Sequence, residues 1–121
     1  MLYISGMGPS IKGEQDMRGR VPKEVSLENA VLAAKNCALN ILAAIEKETG
    51  DLNKVKNIIK LLVFVSSEPG FNQQHIVANG ASEVFIAVFG DKAGKSARSA
   101  VGMAELPLDF PVEIEAMVEL A

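Results

Sequence analysis

The stretch Lys54-Val55-Lys56-Asn57-Ile58-Ile59-Lys60-Leu61-Leu62-Val63-Phe64-Val65-Ser66 decides the architecture. It is rich in Val, Ile, Leu and Phe and too apolar for a surface element, so it reads as a buried central strand. Periodicity alone would also fit a buried helix. Asp51-Leu52-Asn53 forms a turn before it, and Glu68-Pro69-Gly70 breaks the chain after it.

Upstream lies a helix over about residues 26–49. Leu27, Val31, Ala34, Ala38, Ile41, Leu42 and Ile45 recur at helical spacing. Ser26 is a good N-cap and Glu28 sits favourably against the helix dipole, although Asn29 leaves the capping box incomplete. Gly50 suits the residue just past the C-terminus. Downstream, helical spacing returns from Phe71 to about Phe89 through His75, Ile76, Val84, Phe85 and Val88. Asn79-Gly80 interrupts this second helix and Gly90 ends it. A short strand, Leu2 to Ser5, opens the chain and stops at Gly6-Met7-Gly8-Pro9. Residues 10–24 form a loop. Two further strands, Ser96 to Met103 and Val112 to Leu120, flank a connection from Ala104 to Pro111.

The order strand, helix, strand, helix, strand, strand describes a single α+β domain over residues 1–121, with one sheet and two helices on one of its faces. The other face must be exposed or covered by a partner. An apolar face of this kind drives a small domain to oligomerise.

Composition narrows the function. The 121 residues carry a net charge of −3, which argues against a phosphate-binding surface and hence against nucleic acid. One cysteine, Cys37, allows no intramolecular disulfide. No apolar run reaches the roughly 20 residues that span a bilayer. The start MLYISGMGPS lacks the charged and apolar regions of a signal peptide. These features read as a cytoplasmic protein with no membrane partner. One cysteine and one histidine cannot alone supply a structural zinc site, and no metal or cofactor is expected. Phosphate-binding glycine loops and a nucleophile elbow are absent. His75 reads as a helix-surface or interface residue, and Cys37 as a packed small side chain.

The C-terminal strands carry more. Alternation puts Ala97, Ser99, Val101 and Met103 on one face and Arg98, Ala100 and Gly102 on the other. In the last strand Glu113 and Glu115 point away from Val112 and Ile114. Read as a hairpin folded about Glu105-Leu106, the two strands bring Arg98 opposite Glu113, or opposite Glu115 after a two-residue shift. The small residues beside Arg98 leave room for a ligand. A solvated ion pair of little energetic weight is one reading. The other is a site in which an arginine fork takes a carboxylate and a glutamate handles water.

Ala97-Arg98-Ser99-Ala100-Val101, Leu106-Pro107 and Val112-Glu113-Ile114-Glu115-Ala116 together resemble the C-terminal signature of the RidA/YjgF family of reactive-intermediate deaminases. Ile4-Ser5-Gly6 with Pro9, Leu42-Ala43-Ala44, the turn Gly50-Asp51-Leu52-Asn53-Lys54-Val55 and Asn79 extend the likeness over nearly the whole chain. The resemblance implies a chorismate-mutase-like fold and a homotrimer whose sheets line a central barrel, with ligand clefts between subunits. It implies that Arg98 binds the substrate carboxylate and that Glu113 holds or activates the attacking water. Backbone groups near Gly6 and Ala100, with Asn79, would complete the pocket.

There are two departures. The family's N-terminal strand, with its pocket aromatic, has no counterpart, because this chain opens where the second strand would be. Ala100 stands where a cysteine is common, at a position that acts mainly through its backbone. The expected activity is hydrolysis of 2-imino or enamine acids such as 2-aminoacrylate to 2-keto acids and ammonia. The alternatives are a non-catalytic trimer that binds a 2-keto acid or similar carboxylate, and an endoribonuclease or translation inhibitor as reported for some relatives.

Overall fold

The computed structural model describes residues 1–121. Its elements are β1 (Leu2–Met7), α1 (Leu27–Thr49), β2 (Val55–Ser66), α2 (Gln74–Gly94), β3 (Ala97–Met103) and β4 (Val112–Leu120), with short 3₁₀ turns at Leu52–Lys54 and Pro107–Asp109. The strands form one mixed sheet in the order β1-β4-β2-β3, and both helices pack on one face.

Local chemistry explains the first helix. The Ser26 hydroxyl accepts the Asn29 N–H at 3.1 Å, and Gly50 adopts the left-handed conformation at φ 82°. One stripe of α1, including Ala30, Ala34, Cys37, Ile41 and Ile45, is buried against the sheet and α2. The stretch 54–66 is a strand and it is central, with Leu61, Val63 and Val65 wholly buried beneath the helices.

The second helix departs from the expectation twice. Asn79-Gly80 does not interrupt it. A Cβ on Gly80 would lie 2.1 Å from the Val31 carbonyl oxygen, so this glycine lets α1 and α2 touch backbone to backbone. Gly90, at φ 85°, does break the helical geometry, but one further turn follows and carries the element to Gly94.

The C-terminal hairpin is not formed. β3 pairs in parallel with β2, and β4 pairs antiparallel with β2 on its other side. The chain leaves β3, passes the end of β2 and returns beyond it. The physical reason is the intervening helix. A strand, a helix and a strand make a crossover unit, and that unit places its two strands parallel and adjacent.

The helix-free face presents Tyr3, Lys60, Leu62, Phe64, Val101, Met103 and Glu115. A shallow hollow of about 530 Å³ there is lined by Tyr3, Ser5, Lys60, Leu62, Glu115 and Met117 among others. No helix is long and apolar enough to cross a membrane.

Candidate functional site

Arg98 stands on β3, an edge strand, and faces the helices. Its register partner is Leu61, which is buried under them, and Leu61 in turn pairs with Ala116. The half-buried side chain reaches α2. Nη1 donates to the Ser82 hydroxyl at 2.9 Å and Nη2 to the His75 carbonyl at 3.1 Å. His75, Asn79 and Ser82 follow the i, i+4, i+7 spacing of one helix face, so exposed Asn79 lies between the two anchors. Ala100, half-buried, shares the face of Arg98 two residues on. Two of the five guanidinium N–H groups are engaged, which leaves three, enough for a two-bond contact with a carboxylate.

Glu113 stands elsewhere. It pairs with Phe64, which pairs with Val101, so it belongs to the helix-free face. The expected pairing of Arg98 with Glu113, or with Glu115, therefore does not occur within one chain. β2 separates the two strands, and the registers differ by three positions, an odd number that puts the side chains on opposite faces. The separation is about 10 Å across the sheet and about 10 Å along it.

Glu113 is instead coupled to Gly6. The β1 register slips between Ile4 and Met7, and a Cβ on Gly6 would meet the Glu113 carboxyl carbon at 2.6 Å. The absence of a side chain at Gly6 lets the half-buried Glu113 fold across β1. The carboxylate has no salt-bridge partner in the chain, since the ion pairs are Arg18–Asp16 and Arg20–Glu105. Cys37 lies near this end of β4, with its sulfur 3.6 Å from the Val112 carbonyl. Burial, with the charge of Glu113 adding to it, pushes this thiol far above its ordinary range and keeps it protonated.

A loop clasps the same end. Asn40 of α1 donates to the Gly8 and Ser10 carbonyls at 2.9 Å each. Arg18 bonds Asp16 and the Leu108 carbonyl and lies 5.2 Å over the Phe110 ring. The Ser10 hydroxyl donates to Asp16 at 2.9 Å, and this bond, then the one from Arg18, hold the Asp16 carboxyl below its usual range. Arg20 donates to the Ala104 carbonyl at 2.9 Å. These contacts fix the 104–110 connection that feeds Val112 and Glu113.

The structure thus brings together Arg98, Asn79 and Ala100 at one edge, and Gly6 with Glu113 towards the other. Ser82 is a contact that the sequence reading missed. Its signal was the stripe His75, Asn79, Ser82 on one face of a helix that is otherwise largely apolar. No group of three or more His, Cys, Asp or Glu side chains is placed to hold a metal ion.

Two helices on one face of a four-stranded mixed sheet, joined by a parallel β2-α2-β3 unit, define an α+β domain of the YjgF type. The sequence matches the endoribonuclease L-PSP family over residues 1–120, and the chain belongs to that family, the one that contains YjgF. Protein TCP17 of Trypanosoma cruzi is 41% identical over 119 residues, which cover 98% of this chain and 74% of TCP17. A crystal structure of a protein of unknown function from Agrobacterium tumefaciens superposes with a TM-score of 0.92 at 44% identity, covering 98% of this chain and 75% of that one. The YjgF gene product of E. coli gives a TM-score of 0.58 at 29% identity, over 98% of this chain and 78% of its own. Members of the YjgF family are commonly homotrimers.

Proposed function

We propose that this protein hydrolyses small 2-imino or enamine acids, such as 2-aminoacrylate, to 2-keto acids and ammonia, in clefts between the subunits of a homotrimer. The observation that carries this reading is the split site. Arg98 keeps three free N–H donors at one edge of the sheet. Glu113 keeps an unpaired carboxylate on the opposite face, two strands away. A pocket that uses both needs a second copy of the chain, which supplies the missing half and covers the apolar face.

In such a cleft Arg98 clamps the substrate carboxylate and fixes the plane of the imine. Glu113 orients a water and takes its proton as the oxygen attacks the imine carbon. From the protonated imine this gives a carbinolamine, and Glu113 returns the proton to the amino nitrogen. The C–N bond then breaks, ammonia leaves, and the hydroxyl passes its proton to Glu113 as the C=O bond of the keto acid forms. Asn79, Gly6 and the backbone at Ala100 line the pocket. No metal or cofactor takes part in this sequence of steps.

The test is ammonia and keto-acid release from an imino acid generated in situ by an amino-acid oxidase, with semicarbazide as a competing trap. Wild type should divert the imine from the trap. If it does not, while still binding a 2-keto acid, a carboxylate-binding trimer without catalysis replaces this reading. The family's name raises RNA cleavage as a further activity. The −3 charge and the single histidine, which meets Arg98 through its backbone and not its ring, weigh against it here.

A further inference from the structure

The role of Arg98 depends on where its guanidinium points, and the contacts of β3 alone do not set that. Arginine loses much rotamer freedom when it is fixed, and its planar fork recognises a carboxylate only in the right orientation. Arg98 is on an edge strand, half-buried, with no carboxylate of its own chain bonded to it. Its orientation comes from α2, through the two bonds to Ser82 and His75. One partner, the His75 carbonyl, is backbone and independent of side-chain identity. The other is a hydroxyl that only serine or threonine would offer from that position on the helix. Ser82 lies inside α2, two turns from the nearer end, so it is not there as a cap. Serine is a weaker helix former than alanine in a helix interior, and here its oxygen is used as an acceptor for a cation.

We propose that Ser82 is a positioning residue. Its hydroxyl, with the His75 carbonyl, holds the Arg98 guanidinium in the orientation in which its free N–H groups receive the substrate carboxylate. This rests on the reading of Arg98 as the carboxylate clamp. Ser82 itself does not touch the substrate. It acts by removing the rotational freedom that Arg98 would otherwise lose on binding.

Two measurements on the full-length protein test this separately. The first is nitrogen-15 NMR of the Arg98 side chain without ligand. Wild type should give distinct Nη–H signals, because the two bonds slow rotation about Cζ–Nη. Ser82→Ala should average them, and Ser82→Thr should restore them. Averaged signals in wild type, or unchanged signals in Ser82→Ala, overturn the positioning role whatever the protein binds. The second is calorimetric titration with 2-oxobutanoate. Ser82→Ala should bind roughly tenfold more weakly, and Ser82→Thr should bind close to wild type. Equal binding by wild type and Ser82→Ala overturns the positioning role and leaves the clamp intact. Equal binding by wild type and Arg98→Ala overturns the clamp, and the positioning role falls with it.

Discussion

Arg98 and Glu113 lie on opposite faces of the sheet, with β2 between their strands. Arg98 is in register with Leu61 and Ala116, and Glu113 with Phe64 and Val101. One points into the angle between β3 and α2, the other crosses Gly6 at the β1 bulge. The proposed function asks them to share one pocket, which requires a second copy of the chain, and each half can be probed by itself.

Arg98→Ala should lose about 2–4 kcal/mol of transition-state stabilisation in imine hydrolysis, roughly 30- to 1000-fold in rate. Arg98→Lys keeps the charge but not the fork and should remain strongly impaired. A wild-type rate in a folded Arg98→Ala protein would reduce this residue to a surface contact with α2.

Glu113→Gln should bind a 2-keto acid nearly normally and hydrolyse imines slowly, since it keeps the shape but removes the proton acceptor. Gly6→Ala should act on the same carboxylate from across β1. Its new Cβ meets the far end of the flexible Glu113 side chain, which can swing aside. Stability should change little while turnover falls. Thermal melts and initial rates on the two variants separate these effects.

Gly80→Ala should behave in the opposite way. The added Cβ would meet the backbone oxygen of Val31, which cannot move without parting α1 from α2. Overpacking of this kind costs about 1–3 kcal/mol, more than the gain of about 1 kcal/mol in helix propensity. The unfolding midpoint should drop by several degrees in differential scanning calorimetry. An unchanged midpoint would mean that the helices are not in backbone contact there.

Cys37 should resist thiol reagents in the native protein, because its thiol is buried and held protonated. The folded pKa is raised, so above about pH 8.5 the unfolded chain releases a proton that the folded chain keeps. The contribution of Cys37 is fully present below that pH and is lost as pH climbs, by up to about 1.4 kcal/mol per unit. Urea titrations of wild type and Cys37→Ala at pH 7.5 and 10 should show a steeper loss for wild type. Parallel losses would mean that the thiol titrates normally in the folded state.

The helix-free face should be the contact between copies. Light scattering should give a species of three chains for wild type. Leu62→Glu sets a second carboxylate beside its register partner Glu115 on that face and should release monomers. A monomeric wild type at micromolar concentration would remove the second copy that the split site requires.

How much of this was legible in the sequence follows the range of the forces involved. The stripe of α1, its Ser26 cap and Gly50, and the apolar run 54–66 are local patterns. Each predicts its element because backbone bonds and burial periodicity act within a few residues. Alternation likewise grouped Arg98 with Ala100 on β3 and Glu113 with Glu115 on β4 correctly, but read as a hairpin it put the two groups on one face of the sheet, where the structure has them on opposite faces. Pairing was different. Which strand lies beside which is a contest among distant segments, and the short 104–111 connection reads equally as a hairpin loop or as a passage across the end of β2. The helix between residues 66 and 97 was the available clue to a parallel β2–β3 pair.

From its sequence alone this protein is an α+β chain with two helices, a buried central strand and an arginine and a glutamate near its C-terminus. Only the tertiary structure inserts β2 between those two residues, turns them to opposite faces and ties Arg98 to Ser82. Those contacts join residues far apart in the chain, and their geometry is set by packing, which no local pattern encodes.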